Sequence, residues 1–114
     1  MLPRRLERLP RWTLDDDAVV HEANTFASRL LGLAFLRELP SGNALFIPDC
    51  RSVHTFGMRF PIDVAFIDEW ARPLRVERAL PPRRVLVCRG AFAVIETPAG
   101  EIARYLGGRP RSVG

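Results

Sequence analysis

The chain has 114 residues and a formal net charge of +4, with 47% hydrophobic and 26% charged residues. This length and composition are typical of one globular domain, and they exclude a disordered polypeptide, a collagen-like repeat and a disulfide-dense scaffold. Residues 1–12 carry four Arg against one Glu, a net +3, and the remainder of the chain carries only +1. We therefore expect no nucleic-acid partner, because the body of the domain lacks the basic field that such binding requires.

The N-terminus predicts an Arg-rich, flexible tail over residues 1–12, followed by a single globular domain over residues 13–114. No apolar core of an export signal follows the basic residues, and no apolar stretch approaches the ~20 residues of a membrane span. We therefore expect a cytoplasmic protein without a membrane span. Cys50 and Cys88 match neither a CxxC motif nor a disulfide framework, so both are expected to be reduced and to act as small buried side chains.

In chain order, Trp12–Leu14 and Ala18–His21 predict two strands joined by a turn at the acidic residues 15–17. A helix follows, capped by Asn24 or Thr25. The apolar side chains expected on one face of this helix are Phe26, Leu30 and Leu33, and Gly32 lies near its end.

The second half reads mainly as strands. Ala44–Ile47 predicts a short strand, and Val64–Ile67 is apolar on both faces, which indicates a central strand. Residues 74–78 alternate between apolar and charged side chains, as in a half-buried strand. Val85–Cys88 and Ala91–Thr97 predict a hairpin around a turn at residues 89 and 90.

The chain is predicted to close with a helix over Ala99–Leu106, with Pro98 in its first turn and Gly107 and Gly108 at its end. Short strands joined by short turns favour an antiparallel arrangement. The predicted fold is therefore α+β and mainly β, with an antiparallel sheet curled into a small barrel or sandwich and about two helices at its edge.

Few residues match known chemical motifs. No phosphate-binding glycine loop, nucleophile elbow or paired CxxC is present, and we expect no cofactor. Cys50, His54 and Met58 form a C-x3-H-x3-M pattern that copper electron-transfer sites use, and His21 could add a second imidazole. Such sites usually lie between the last two strands, whereas almost half of this chain follows Met58, so we expect no metal.

Two carboxylates fall within apolar segments, where an unpaired charge would lose several kcal/mol of hydration. These are Asp63 and Glu96. If they face each other across a cleft, their mutual repulsion holds one of them protonated near neutral pH. One carboxyl group is then an acid and the other a base. Alternatively, each ties a neighbouring loop through backbone N–H groups. The side chains available as partners of Asp63 are Arg59, Arg29, Arg51 and His54.

Four motifs in sequence order resemble those of domain-of-unknown-function family 192. They are Arg29–Leu33, Gly42–Phe46, Val53–Asp68 and Ala93–Gly100, within a match from about Thr13 to Gly108. The P-I-D-x-x-F-I-D stretch is the most specific of them. The resemblance implies a compact, mainly β domain of bacteria and archaea and no stated activity. This chain departs from many members at residues 54–59, where they carry Phe-Trp-Met-Lys-Asn-Thr, so the polar Lys-Asn pair is not carried over.

We expect the protein to bind a small polar or anionic ligand at a cleft formed by the loop over residues 50–63. The candidate ligand-binding residues are Arg51, His54, Met58, Arg59, Asp63 and Glu96. A first alternative is a small acid–base enzyme that uses Asp63 and Glu96. A second is an interaction module that docks through its Arg-rich tail. The sequence does not decide whether the protein is an enzyme, nor its oligomeric state.

Overall fold

The computed structural model describes residues 2–106. Its main element is a six-stranded sheet in the order β1-β2-β3-β8-β5-β6, beside a two-stranded sheet of β4 and β7. The strands are β1 Arg11–Thr13, β2 Val19–Glu22, β3 Asn43–Pro48, β4 Ser52–His54, β5 Ile62–Ile67, β6 Pro73–Leu80, β7 Val85–Val87 and β8 Ala93–Pro98. The helices are α1 Arg4–Glu7, α2 Phe26–Leu31 and a 3₁₀ helix, Ile102–Tyr105.

The large sheet separates two apolar clusters. On one face, which we call the inner face, side chains such as Val64 and Val94 pack with α1, with the segment after α2 and with the small sheet. On the other, outer face, side chains such as Ala65 and Ile95 pack with the 3₁₀ helix. The arrangement resembles a sandwich and not a closed barrel, because the large sheet ends in edge strands. The predicted α+β, mainly β fold class is confirmed.

The strand expected to be apolar on both faces lies in the middle of the sheet, as β5. Every residue of β5 is buried, and β5 is paired on both sides, by β6 and β8. The strands β2 and β3 form a parallel pair, whereas the prediction was for antiparallel pairing. The 20 residues between them contain α2 and supply the crossover that a parallel pair needs.

The predicted helix after Thr25 is confirmed as α2, and its capping box uses the side chains of Thr25 and Ser28. Its apolar face differs from the prediction. Leu30 is 57% exposed, whereas Leu33 is buried beyond the end of the helix. Because α2 ends at Leu31, Leu33 lies in the segment that follows the helix.

The predicted hairpin of β7 and β8 is wrong. The turn forms, since the N–H of Ala91 donates to the carbonyl of Cys88, but it leads from one sheet into the other. β7 pairs with β4, and β8 inserts between β3 and β5. β8 is buried over Ala93–Thr97, and this position covers both of its faces, which a peripheral hairpin would not do.

The closing helix is shorter than predicted. Pro98 is the last residue of β8, and Gly100 turns the chain at φ +90° before the 3₁₀ helix begins at Ile102. The predicted end of the helix, Gly107 and Gly108, lies outside the described residues.

The N-terminal segment differs from the expected flexible tail. Leu6 and Leu9 are 1% and 8% exposed within the inner cluster, and Arg11–Thr13 form β1. Arg5 donates from Nη2 to the carbonyls of Gly32 (2.7 Å) and Ala34 (2.9 Å). A segment fixed by buried leucines and side-chain hydrogen bonds is part of the folded domain, so the hypothesis of docking through a free Arg-rich tail does not fit this structure.

None of the helices over residues 2–106 has the length and apolar character that crossing a membrane requires.

Candidate functional site

The two candidate carboxylates lie on opposite faces of the large sheet. In the antiparallel ladder of β5 and β8, Asp63 is paired with Thr97, and Val64 is paired with Glu96. Successive side chains of a strand point to opposite faces. Glu96 therefore shares the inner face with Val64, and Asp63 lies on the outer face. The hypothesis that the two form a catalytic acid–base pair is wrong.

Asp63 joins three backbone segments. Its Oδ1 accepts from the N–H of Ala79 at 2.8 Å, and its Oδ2 accepts from Gly100 at 2.9 Å and from Ile102 at 3.3 Å. No Arg or His side chain is among these partners. The structural alternative, in which Asp63 ties loops through backbone N–H groups, is confirmed. The segments that it holds are the end of β6, at Ala79, and the turn after β8, and not the loop over residues 50–63.

Glu96 is only partly satisfied. Its side chain is 3% exposed, and the backbone N–H of Leu33 donates to its carboxyl group. Its Oε1 is buried and has no hydrogen-bond partner among the described residues. Burial penalises the charged form and raises the pKa of Glu96 to about 7, although the Leu33 N–H acts in the opposite direction. A carboxyl group in this environment exchanges a proton near neutral pH.

Gly32 packs closely against this carboxyl group. Its φ is +53°, in the left-handed region that favours glycine, and a Cβ at this position would lie 2.8 Å from Glu96 Oε1. Any other residue would therefore meet the unpartnered oxygen and also strain the backbone. The glycine therefore allows the backbone after α2 to approach Oε1 this closely.

An open cleft of about 430 Å³ leads to this position from outside the domain. Its walls come from α2, the end of β3, β4 and β7. The lining residues are Arg29, Leu30, Ile47, Cys50, Ser52, Val53, His54 and Val85. A narrow recess with most of the same lining reaches Gly32 and Glu96. The carboxyl group thus lies at the floor of a cleft with apolar walls and few polar groups, which is a common form for a small-molecule site.

His54 contributes a second acceptor. Its Nε2 lies 3.2 Å from the carbonyl oxygen of Leu30. A carbonyl oxygen can only accept, so Nε2 carries the proton, and in the neutral ring Nδ1 is then an acceptor. Nδ1 is buried without a partner among the described residues. The side chains that line the cleft therefore hold two buried acceptors, Nδ1 of His54 and Oε1 of Glu96.

Cys50 lines the same cleft as a protonated thiol. Its Sγ donates to the carbonyl of Ser52 at 3.0 Å. Burial raises the pKa of Cys50, and the charge of Glu96 raises it further, against the opposing effects of the Ser52 backbone and of Arg29. The thiolate is disfavoured here, so this cysteine is a poor nucleophile.

The structure brings together two of the six candidate ligand-binding residues, His54 and Glu96. Met58 is buried in the inner cluster, and Arg59 is exposed away from the cleft lining. Arg51 lines a different surface depression, next to Asp49 and Glu69. Sequence reasoning missed Gly32 and Arg29 as site residues, although both belong to one of the motifs that carried the family resemblance.

Metal ligands are not assembled in the part of the chain that the structure describes. Within residues 2–106, no three side chains of His, Cys, Asp or Glu are close enough to hold a metal ion. Of the C-x3-H-x3-M pattern, Cys50 and His54 line the cleft, and Met58 lies in the core. His21 is buried elsewhere, with its Nε2 2.9 Å from Asn43 Oδ1.

Comparison with known proteins gives the family. The profile of DUF192, described as an uncharacterized ACR, matches residues 12–106. The chain belongs to the DUF192 family. The predicted resemblance is therefore confirmed, and Glu96, Gly32 and His54 all lie within the matched part of this DUF192 chain. No curated protein matches the sequence.

Two solved structures share the fold. A protein of unknown function from Novosphingobium aromaticivorans is 25% identical, with a TM-score of 0.66 over 88% of this chain and 78% of that one. A protein from Sinorhizobium meliloti, whose name proposes a role in transcription regulation, is 19% identical, with a TM-score of 0.68 over 89% of both chains. The second likeness is one of fold alone. The fold of this DUF192 chain is thus shared by proteins from two bacteria, and neither of their names states a reaction or a ligand.

Proposed function

We propose that this DUF192 protein binds a small polar molecule in the cleft between α2 and β4, with a hydrogen-bond donor of the ligand at the cleft floor. The observation that carries the proposal is a pair of buried acceptors without a hydrogen-bond partner in residues 2–106, Oε1 of Glu96 and Nδ1 of His54. Leaving buried acceptors unsatisfied costs about 1–3 kcal/mol each. A ligand that donates to them recovers this free energy on binding.

An amine is the donor that fits best. At pH 7 the carboxyl group of Glu96 is about half ionised, because its pKa is about 7. A bound ammonium group stabilises the ionised form, and the low dielectric of the buried floor strengthens this attraction relative to water. The ligand class is therefore a small molecule with a cationic or N–H-bearing head.

Arg29 supplies complementary charge at the cleft entrance. It is exposed, and its Nη2 donates to the carbonyl of Asp49 at 3.1 Å, which leaves its other N–H groups for a ligand. A carboxylate or carbonyl at the far end of an amine-bearing molecule suits this position. We therefore favour compounds with an amino head and an oxygen-bearing tail over simple anions.

A titration with three matched probes tests the proposal. Propylamine, β-alanine and propionate are added to ¹⁵N-labelled protein, and the backbone N–H signals of Gly32, Leu33 and His54 are followed. We expect both amines to shift these signals and propionate to leave them in place. Between pH 5.5 and pH 8 the amine affinity should rise about tenfold or more, since only the ionised fraction of Glu96 is competent. Equal binding of propionate, or no binding of any probe, contradicts the proposal.

Two variants locate the binding to the cleft floor. Glu96→Gln keeps the shape of the side chain and should remove the rise in amine affinity with pH. Gly32→Ala places a Cβ against Glu96 Oε1 and should abolish binding. Gly100→Ala is its control, because that glycine also has a positive φ of +90° but nothing lies within 4 Å of an added Cβ. If both alanine variants lose binding equally, the loss reflects backbone strain and the floor is not the site.

Acid–base catalysis is a second candidate function, favoured by the near-neutral pKa of Glu96 alone. It requires only one carboxyl group and the imidazole of His54, not the Asp63 pair. Hydrolysis of β-alanine ethyl ester, followed by proton NMR, distinguishes the two functions. A rate that is higher with the wild type than with Glu96→Gln supports catalysis, and equal rates leave binding as the function.

A cytoplasmic location is part of the same proposal. Cys50 and Cys88 are both free thiols. A reducing compartment maintains thiols in this state, which supports the location without depending on the ligand.

A further inference from the structure

A second cavity lies on the outer face of the large sheet, opposite the Glu96 cleft. It has a volume of about 160 Å³. Apolar side chains of five strands and of the 3₁₀ helix form most of its lining. The lining residues are Trp12, Leu14, Val20, Phe46, Ile67, Ala71, Ile95 and Tyr105. No charged side chain is among them, so this cavity does not suit an ion.

Tyr105 presents the one buried polar group of this lining without a partner. The residue is 3% exposed, and its hydroxyl has no hydrogen-bond partner among the described residues. Burial raises the pKa of Tyr105 to about 12, so the hydroxyl keeps its proton and remains a donor. A ligand in the cavity could therefore accept a hydrogen bond from a hydroxyl for which residues 2–106 supply no acceptor.

The size and walls of the cavity define what could occupy it. An apolar protein cavity of ~150 Å³ holds a molecule of benzene size. The rings of Trp12 and Phe46 meet edge to face with centroids 5.6 Å apart, and both side chains are partly buried against the outer cluster. Aromatic walls of this kind pack well against a planar ring.

We propose that the outer-face cavity binds a small, neutral, apolar molecule of single-ring size that carries one hydrogen-bond acceptor, such as a carbonyl group, directed at the hydroxyl of Tyr105. The site is independent of the cleft at Glu96, because the sheet separates the two. It adds a ligand of different chemistry to the same domain.

Acetophenone and ethylbenzene test this proposal as a matched pair, since they differ mainly in the carbonyl oxygen. The indole N–H signal of Trp12 reports binding in ¹⁵N–¹H spectra, and that of Trp70, which is 67% exposed and outside the cavity, is the internal control. We expect acetophenone to bind about three- to tenfold more tightly than ethylbenzene, the effect of one added hydrogen bond. Trp70 should not shift.

Tyr105→Phe removes the hydroxyl and keeps the ring. This variant should bind both compounds with equal affinity, and a two-state melting curve confirms that it is folded. The proposal is overturned if neither compound shifts Trp12 in the wild type, which would mean a closed or water-filled cavity. It is also overturned if the wild type does not prefer acetophenone, or if the preference survives in Tyr105→Phe. Glu96→Gln should leave every one of these affinities unchanged.

Discussion

The buried carboxyl group of Glu96 should make the stability of this DUF192 protein depend on pH in a way that one substitution removes. Glu96→Gln replaces the carboxyl group with a neutral amide of the same shape. The amide oxygen can still accept from the Leu33 N–H, so the variant imitates the protonated form. The two proteins should be equally stable where Glu96 is protonated and diverge where it ionises.

The magnitude follows from the shift in pKa between the unfolded and folded states, 4.5 to about 7. Below pH 4.5 Glu96 is protonated in both states, and the wild type keeps its full free energy of unfolding. Between pH 4.5 and 7 only the unfolded chain ionises, so the free energy falls with pH by about 1.4 kcal/mol per unit. Above pH 7 both states are ionised, and the accumulated loss is roughly 3 kcal/mol.

Urea unfolding of both proteins at several pH values between 5 and 9 measures this loss. The quantity of interest is the difference in free energy of unfolding between Glu96→Gln and the wild type, because titration of all other groups cancels in it. We expect the difference to grow by about 2.5 kcal/mol across the series and to level off near pH 8. A difference that is constant with pH would refute the argument that burial controls this carboxyl group.

Three further substitutions test the contacts that hold the fold. Asp63→Asn should lower the free energy of unfolding by about 3 kcal/mol, because an amide N–H would face the backbone donors that Oδ2 now satisfies. The control is Asp68→Asn, whose carboxylate also accepts backbone N–H groups but at an exposed turn, and its midpoint of urea unfolding should fall far less. Equal losses in the two variants would exclude an anchoring role for Asp63. Leu6→Ala should lower the free energy of unfolding, measured by thermal unfolding, by about 3 kcal/mol, whereas Leu74→Ala, at an exposed position, should lower it little. If Leu6→Ala causes no loss of stability, the N-terminal segment is a flexible tail. Thr25→Ala should cost about 1 kcal/mol in urea by removing the capping box of α2, and unchanged stability would mean that α2 does not depend on its cap.

The parts of the fold that were predictable from the sequence are those that local pattern determines. The run Val64–Ile67 is apolar on both faces, which is a property only a central strand can satisfy, and it became β5. Thr25 begins α2 because its hydroxyl reaches a backbone N–H three residues along the chain. The burial of Asp63 and Glu96 also followed from their apolar neighbours.

The parts that were not predictable depend on which strands pair and in what register. The opposite faces of Asp63 and Glu96 follow from the pairing of Asp63 with Thr97, and no local pattern specifies that pairing. The insertion of β8 between β3 and β5 likewise depends on contacts distant in sequence. In residues 1–12, Leu2, Leu6 and Leu9 recur at helical spacing. A four-residue helix between two prolines nevertheless gives too weak a signal to predict its burial.

The position of β8 has a consequence for how this protein is made. β3 and β5 are each paired on one side by a strand that forms without β8, and the partner on the other side of both is residues 93–98, which follow every other strand in the sequence. During synthesis the growing polypeptide therefore exposes two unpaired strand edges, which are templates for aggregation and for chaperone contact. The sheet can close only after residues 93–98 have been synthesised, so a chain that stops before these residues has no means of completing its sheet.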